Sequence, residues 1–502
     1  MINWRQIFNV LGMLLFIEAG MLLITLGVAA FYHEDIMPYV YATIMSVVLG
    51  ILGRVIGIGA GKRLGRRDGY IIVSLVWIVF TIIGTIPFII TDSVPDFASA
   101  FFEAMSGFTS TGATIIDKID ILPRGIIFWR SMTQWIGGIG IIFFTLAILP
   151  AFGVGEVKLF AAESTGPLHD KIHPRISVAV KWIGSVYLTL TLLCILSLVV
   201  CGMGVYDAVN ISMTTTATGG FSPHSAYFHE QWNSAPIEYV TTLFMFLSGV
   251  NYTLLYYSIF RGHLHRLLHN PELRVYAVIV LMATIMCTTF LTIHNNQGDL
   301  ELSFRESIFT VVSIQTTTGF ASCDYTTWPQ ILMPIILFLM FAGACSGSTS
   351  GGFKCIRWAI LWSVLRGEFR RILHPRIVAG VKVGNEVIPT SIQKTMLAFV
   401  TLFVGSLFIG AFILILCGVD KTYLAQMTDG HELLRHDFTE ALSVSLSSLS
   451  NVGPAMGYYG PAHSWAIISP LAKIVCSLLM LIGRLEIFPI LILLTHGFWR
   501  KE

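Results

Sequence analysis

Charged side chains are scarce in this sequence. Asp, Glu, Lys and Arg make up 12% of its 502 residues, while 55% are hydrophobic. A soluble globular domain carries about 25% charged residues, so a soluble fold is excluded and a polytopic membrane protein is expected. The eight cysteines include no CxxC pair, which argues against a zinc site and a disulfide framework. There is no HExxH and no GxSxG, so the chain is not read as a membrane protease or acyltransferase. GxGxxG and Walker A are absent too. Any regulation by nucleotide would therefore need a partner. No nucleic-acid partner and no organic cofactor are expected.

Long apolar runs are abundant. They cover 8–32, 38–60, 70–90, 126–152, 177–201, 237–260, 275–293, 331–365, 394–417 and 465–499. Roughly 20 apolar residues cross a bilayer as a helix, which gives ten candidate spans. The first is too long for a signal-peptide core and lacks a small-residue cleavage site, so it is expected to be a span. Four shorter apolar pieces, 97–108, 207–214, 304–314 and 438–449, lie between paired spans. They are too short to cross and suit re-entrant helices. Each is followed by a Thr/Ser/Gly stretch: "FTSTGATII", "TTTATGGFS", "SIQTTTGFAS" and "SSLSNVGPA". The fold expected is all-α: four span–re-entrant helix–span repeats, 69–168, 169–270, 271–385 and 386–502, after two N-terminal spans in 1–68. Two echoes support duplication. "RGHLHRLLHNP" (261–271) resembles "RGEFRRILHP" (366–375), and "HPR" occurs at 173–175 and 374–376.

Loop charge orients the chain. In a ten-span arrangement one side carries Lys62, Arg63, Arg66, Arg67, Lys158, Lys171, Arg175, Arg261, Arg266, Arg274, Arg366, Arg370, Arg371, Arg376, Lys382, Arg500 and Lys501. The other carries Lys118, Arg124, Arg305, Lys421 and Arg435. The basic side is expected to be cytoplasmic, with both termini there and the glycine loops opening outward. Irregular backbone at membrane depth is tolerated only where it is buried or lines a watery cavity. Glycine lets carbonyls turn toward a common axis, and a ring of carbonyls can replace an ion's water shell. The short helices aim their negative ends at the loops, which favours a cation. The loops carry no carboxylate, so a monovalent cation fits better than Ca2+ or Mg2+. This favours K+ without excluding Na+.

"WRSMTQWIGGIGII" (129–142), "TATGGFS" (216–222), "QTTTGF" (315–320), "GSTSGGFK" (347–354) and "SNVGPAMG" (450–457) together resemble the TrkH/TrkG family of bacterial Trk potassium-uptake subunits, within the Trk/Ktr/HKT superfamily. The resemblance covers essentially the whole chain. It implies a pseudo-fourfold arrangement around one pore in the bacterial inner membrane. Its potassium filter would be Ser110, Thr111 and Gly112; Thr218 and Gly219; Thr317, Thr318 and Gly319; and Asn451, Val452 and Gly453. It also implies a homodimer and a TrkA-like cytoplasmic nucleotide-binding ring, for which the basic stretches 261–274 and 366–382 are candidate docking surfaces. Positive-inside charge and anionic lipid explain those stretches equally well. Channel-like uptake and H+- or Na+-coupled symport both remain open.

The stretch 341–355 places Gly343, Gly347, Gly351 and Gly352 among Ser346, Ser348, Thr349 and Ser350, ending at Lys354. A mid-helix glycine costs about 1 kcal/mol relative to alanine, so the span is expected to break here. The reading is a gate loop below the filter, a role the resemblance also implies; the alternative is close helix packing through small residues. Arg484 lies in apolar sequence, where a charge costs at least about 2.5–3.5 kcal/mol. The resemblance implies a pore-facing basic residue there; the alternatives are a pair with Glu486 or snorkelling. Arg130 and Gln134, four apart, are expected to share a helix face and brace the adjacent loop. Lys473 is read as either pore-lining or an inter-repeat pair.

Overall fold

The computed structural model describes residues 2–59, 61, 65–147, 176–294, 298–374, 380–384, 386–418 and 438–500. Several basic residues used for orientation, among them Lys62, Arg63, Lys158, Lys171, Arg175, Arg376, Lys421, Arg435 and Lys501, lie outside them, as does most of each HPR motif. The described residues are mainly helical, with one two-stranded antiparallel pair, β1 (Lys382–Val383) and β2 (Glu386–Val387).

Two N-terminal helices come first, α1 (Trp4–Phe31) and α2 (Met37–Ile56). Asn3 caps α1 by accepting from the Gln6 N–H, and Pro38 sits in the first turn of α2. The pair packs through small residues, as membrane helices do. A β-carbon on Gly12 would press on the Gly50 carbonyl, and the Ser46 hydroxyl donates to the Leu15 carbonyl at 2.8 Å.

A pattern of long helix, short helix and further helix then recurs four times. It runs α3 (Arg66–Ile90), α4 (Phe97–Phe108), α5 (Arg124–Ala147); then α6 (Ile176–Val200), α7 (Val205–Thr216), α8 (Ala235–Ser248) with α9 (Tyr252–Arg261). It continues α10 (Pro271–His294), α11 (Leu300–Gln315), α12 (Met333–Ala342) with α13 (Cys355–Leu373); and α14 (Thr390–Cys417), α15 (Phe438–Ser450), α16 (Pro470–Arg484) with α17 (Phe488–Leu493). The longest short helix has 16 residues, about 24 Å at 1.5 Å per residue, less than the roughly 30 Å hydrocarbon core.

Polarity is arranged inside out. The long helices expose Leu, Ile and Phe outward, as α14 does with Phe408, Ile409 and Phe412. The less apolar short helices occupy the centre. Residues 102–108, 210–216, 309–315 and 443–450 are buried without interruption. A run longer than one helical turn can be buried only if protein surrounds every face. Two of the hydroxyls at the ends of these helices are satisfied locally: Thr215 donates to the Ile211 carbonyl and Thr316 to the Val312 carbonyl, each four residues back.

Among the described residues, six helices are long and apolar enough to cross a membrane, or seven if α8 and α9 count as one bent span. A single interruption was expected among the ten apolar runs; the described helices show two more. The run 237–260 breaks at 249–251 with a bend of 106°. Asn251 starts a new helix there by accepting from the Thr253 and Leu254 N–H groups. The run 465–499 breaks at 485–487, where Glu486 and Ile487 take φ of 57° and 65°. Pro489 then begins α17, a breaker visible in the sequence.

Candidate functional site

The short helices end alike. Each is followed by a left-handed residue (Ser110, Thr218, Thr317 or Asn451, φ between 50° and 58°) and, two residues later, by a glycine of positive φ. These glycines are Gly112, Gly220, Gly319 and Gly453, with φ of 86°, 80°, 82° and 103°. In each loop the residue between them donates its N–H to a carbonyl five residues back: Thr111 to Ser106, Gly219 to Thr214, Thr318 to Ser313 and Val452 to Ser447.

The register of the second loop therefore differs by one residue from the sequence reading. Gly220, not Gly219, is the counterpart of Gly112, Gly319 and Gly453. Gly219 occupies the position held elsewhere by Thr111, Thr318 and Val452. "GG" offers two glycines to a motif that needs one, and only backbone conformation distinguishes them.

The four loops close on one another in chain order. A β-carbon on Gly112 would overlap the Gly219 carbonyl; on Gly220, the Thr318 carbonyl; on Gly319, the Val452 carbonyl; and on Gly453 it would press on the Thr111 carbonyl. Loops one, two, three and four thus form a closed ring, with no room for a side chain at any of the four contacts. All four glycines line one cavity of about 140 Å³, together with Asp117 and His224.

Polar side chains fix the ring from behind. The Gln134 Nε2 donates to the Gly219 carbonyl at 2.7 Å, and its Oε1 accepts from the Phe221 N–H at 3.1 Å. The Arg130 Nε pairs with Glu103 at 2.9 Å, and its other nitrogens reach the Ser222 carbonyl and the Thr114 hydroxyl. Both side chains on α5 therefore hold the first two loops. Glu103, which sequence reasoning missed, also accepts from the Ile115 N–H at 3.0 Å. Asn451 donates to the Thr111 hydroxyl at 2.9 Å and the Met480 carbonyl. Lys473 donates to Ser99 of α4, which places it in an inter-repeat contact.

The predicted break between α12 and α13 lies against the ring. Gly343, Gly347, Gly352 and Lys354 all have positive φ. The Gly351 N–H donates to the Thr317 hydroxyl at 2.8 Å, and the Ser348 hydroxyl donates to the Cys345 carbonyl. Arg484 joins ring and loop: its guanidinium donates to the Thr349 carbonyl at 2.8 Å, the Ser110 hydroxyl at 3.2 Å and the Gly137 carbonyl at 3.1 Å. It is buried, and among the described residues no carboxylate pairs with it. Glu486 instead takes Lys354 and Arg357, each at 2.7 Å. The suggested Arg484–Glu486 pair is thereby corrected, because the break at 485–487 turns Glu486 toward α13.

On the cavity side, His224 sits between two carboxylates, Asp120 at 2.9 Å and Asp207 at 3.2 Å. Both ring nitrogens face acceptors, so the imidazolium is favoured. The hydrogen bond that His224 donates to Asp207 raises its pKa above the ordinary value, partial burial opposes the shift, and Asp120 adds to it. The charged form is thus stabilised by folding. Its contribution, about 1 kcal/mol after allowance for solvent screening, is complete below the unfolded pKa near 6.5. It is lost as pH rises through the folded value. His224→Gln should remove this loss from the pH dependence of thermal unfolding; a wild-type profile in the variant would reject the clamp.

The model of the TrkH cation transport protein family matches residues 44–498. The chain belongs to the TrkH family. Among its relatives, the Trk system potassium uptake protein TrkH of Escherichia coli (strain K12) is 35% identical, over 99% of this chain and 100% of that protein. TrkG of the same organism is 33% identical, over 99% of each. The crystal structure of the potassium transporter TrkH from Vibrio parahaemolyticus is similar with a TM-score of 0.87 and 32% identity, over 99% of this chain and 100% of that one. TrkH-family membership makes this a multi-pass membrane transport protein and not an enzyme.

Proposed function

We propose that this TrkH-family chain carries K+ into the cell through the ring of glycine loops. The observation that carries the reading is the cyclic closure of four loops, each with a left-handed residue and a positive-φ glycine. Such a ring presents carbonyl and hydroxyl oxygens without carboxylates, which suits a weakly hydrated monovalent cation. Ser110, Thr111 and Gly112, Thr218 to Gly220, Thr317 to Gly319, and Asn451 to Gly453 form the filter. The cavity beside Asp117 is its outer mouth.

The loop at 343–354 is the gate. The hydrogen bond from the Gly351 N–H to Thr317 supports this reading, as does the small cavity of about 10 Å³ among Ser350, Lys354 and Arg484, room for about one water molecule. Arg484 sets an electrostatic barrier to cations there. The basic ends at Arg67, Arg261, Arg274, Arg370 and Arg500 face the cytoplasm, by positive-inside charge in the bacterial inner membrane. Both termini lie on that side. A TrkA-like nucleotide-binding ring docks on the basic stretches near 261–274 and 366–382, and the chain works as a homodimer. We read the flux as channel-like and not symport, because four loops closing into one ring suit a pore better than a carrier with alternating access.

The deciding measurement is the reversal potential of the reconstituted protein in mixed K+ and Na+. A K+ preference is expected. A preference for Na+ or for anions would overturn the reading, and strict coupling of K+ flux to H+ or Na+ would replace the channel by a symporter.

A further inference from the structure

The bent span of the second repeat has no part in the filter, yet its break is stitched to the loop at 343–354. The Gly249 carbonyl accepts from the Cys345 N–H at 3.0 Å, and the Tyr252 N–H donates to the Gly347 carbonyl at 3.1 Å. Between them, the Asn251 Nδ2 donates to the Ser346 carbonyl at 2.8 Å. Asn251 is buried and serves two elements at once, because its Oδ1 caps α9.

The chain then leaves the site. α9 stacks Tyr256 on Trp182 of α6, with centroids 4.8 Å apart and planes at 5°. It ends in exposed Phe260 and Arg261, and a short helix, Leu264–His269, follows. The chain returns at α10, where Glu272, in the first turn, accepts from the Ser346 N–H at 2.5 Å and the Ile356 N–H at 3.2 Å. The two ends of this exposed, basic excursion therefore grip one residue, Asn251 on the Ser346 carbonyl and Glu272 on the Ser346 N–H.

We propose that residues 251–272 are a lever that transmits a load on the exposed basic surface to the gate, with Asn251 and Glu272 as its positioning residues on Ser346. The proposal rests on the gate reading above. A helical excursion tied at both ends to the same loop residue cannot shift as a body without moving that residue. The 106° bend directs α9 away from the axis of α8, so displacement of the basic end is converted into displacement at Ser346. Two discrete arrangements of such an element are what coupling between distant sites requires.

Asn251→Ser in the full chain separates this role from a structural one. Serine caps a helix as well as asparagine but is too short to reach the Ser346 carbonyl. Losing one such hydrogen bond shifts an equilibrium about fivefold. We expect rubidium tracer flux into liposomes, without any partner, to rise about fivefold while the thermal unfolding midpoint stays near wild type. Asn251→Asp, which also caps but cannot donate, should give the same rise. Glu272→Ala combined with Asn251→Ser should raise flux less than the product of the single effects, because both act through Ser346. Folded Asn251→Ser protein with wild-type basal flux would overturn the lever, as would a lowered midpoint without added flux. Deleting residues 347–351 distinguishes the two levels. If the deletion raises flux and Asn251→Ser does not, the lever alone fails. If the deletion leaves flux at the wild-type level, the gate reading fails with it.

Discussion

Gly319→Ser is expected to cut the preference for K+ over Na+ by about tenfold, equivalent to about 1.4 kcal/mol. Gly319 has φ of 82°, where a residue with a β-carbon is strained by roughly 1–2 kcal/mol. The new β-carbon would also overlap the Val452 carbonyl of the neighbouring loop. Relief requires one carbonyl to move, and in a closed ring that displacement passes to the other three contacts. Selection between ions of equal charge depends on the number and placement of the coordinating oxygens, so a loosened ring discriminates less. Gly220→Ser should behave in the same way, because it faces the Thr318 carbonyl. Gly219→Ser should act differently, since its β-carbon meets the Gln134 carboxamide. Reversal potentials in mixed K+ and Na+ measure all three. Unchanged relative permeability in Gly319→Ser, or equal effects of Gly219→Ser and Gly220→Ser, would contradict the ring geometry.

Features that interrupt an apolar run were legible in the sequence. The four short helices fall close to their expected bounds, 97–108 and 438–449 most closely, because a Thr/Ser/Gly stretch ends each one. The break after Ala342 was visible for the same reason. The break at 249–251 was not: "MFLSGVNYTLLYY" reads as continuous apolar sequence, and the bend depends on hydrogen bonds to a loop about 95 residues away. The break after Arg484 did carry a signal in Pro489, masked by apolar neighbours. The actual partners of the buried acids were hidden. Glu103, Glu272 and Glu486 are isolated in sequence, and they acquire roles only when folding brings Arg130, Ser346 and Lys354 to them.

Glu486→Gln should destabilise the protein by about 3–5 kcal/mol, the usual cost of leaving a buried charge without its partner, and should raise basal K+ flux. The carboxylate sits between the Lys354 ammonium and the Arg357 guanidinium, one on each oxygen. Lys354 and Glu486 both adopt left-handed backbone, with φ of 73° and 57°. Strain of this kind persists only where surrounding contacts over-determine it, and the ion pair, with the Arg484–Thr349 hydrogen bond, links the two breaks. With a neutral amide in place of the carboxylate, two cations remain buried beside Arg484 and repel one another. The end of the 343–354 loop at Lys354 is then released from α16 and α17. Lys354→Met should be milder, about 1 kcal/mol, because Glu486 keeps Arg357 and Arg357 keeps its stack on Phe399 at 3.9 Å. Thermal unfolding in detergent and tracer flux in liposomes report the two effects separately. A Glu486→Gln variant that melts and conducts like wild type would show that the two breaks are held together by packing alone. A variant that melts early but keeps wild-type flux would confine the ion pair to stability and leave the gate to Arg484 and the loop itself.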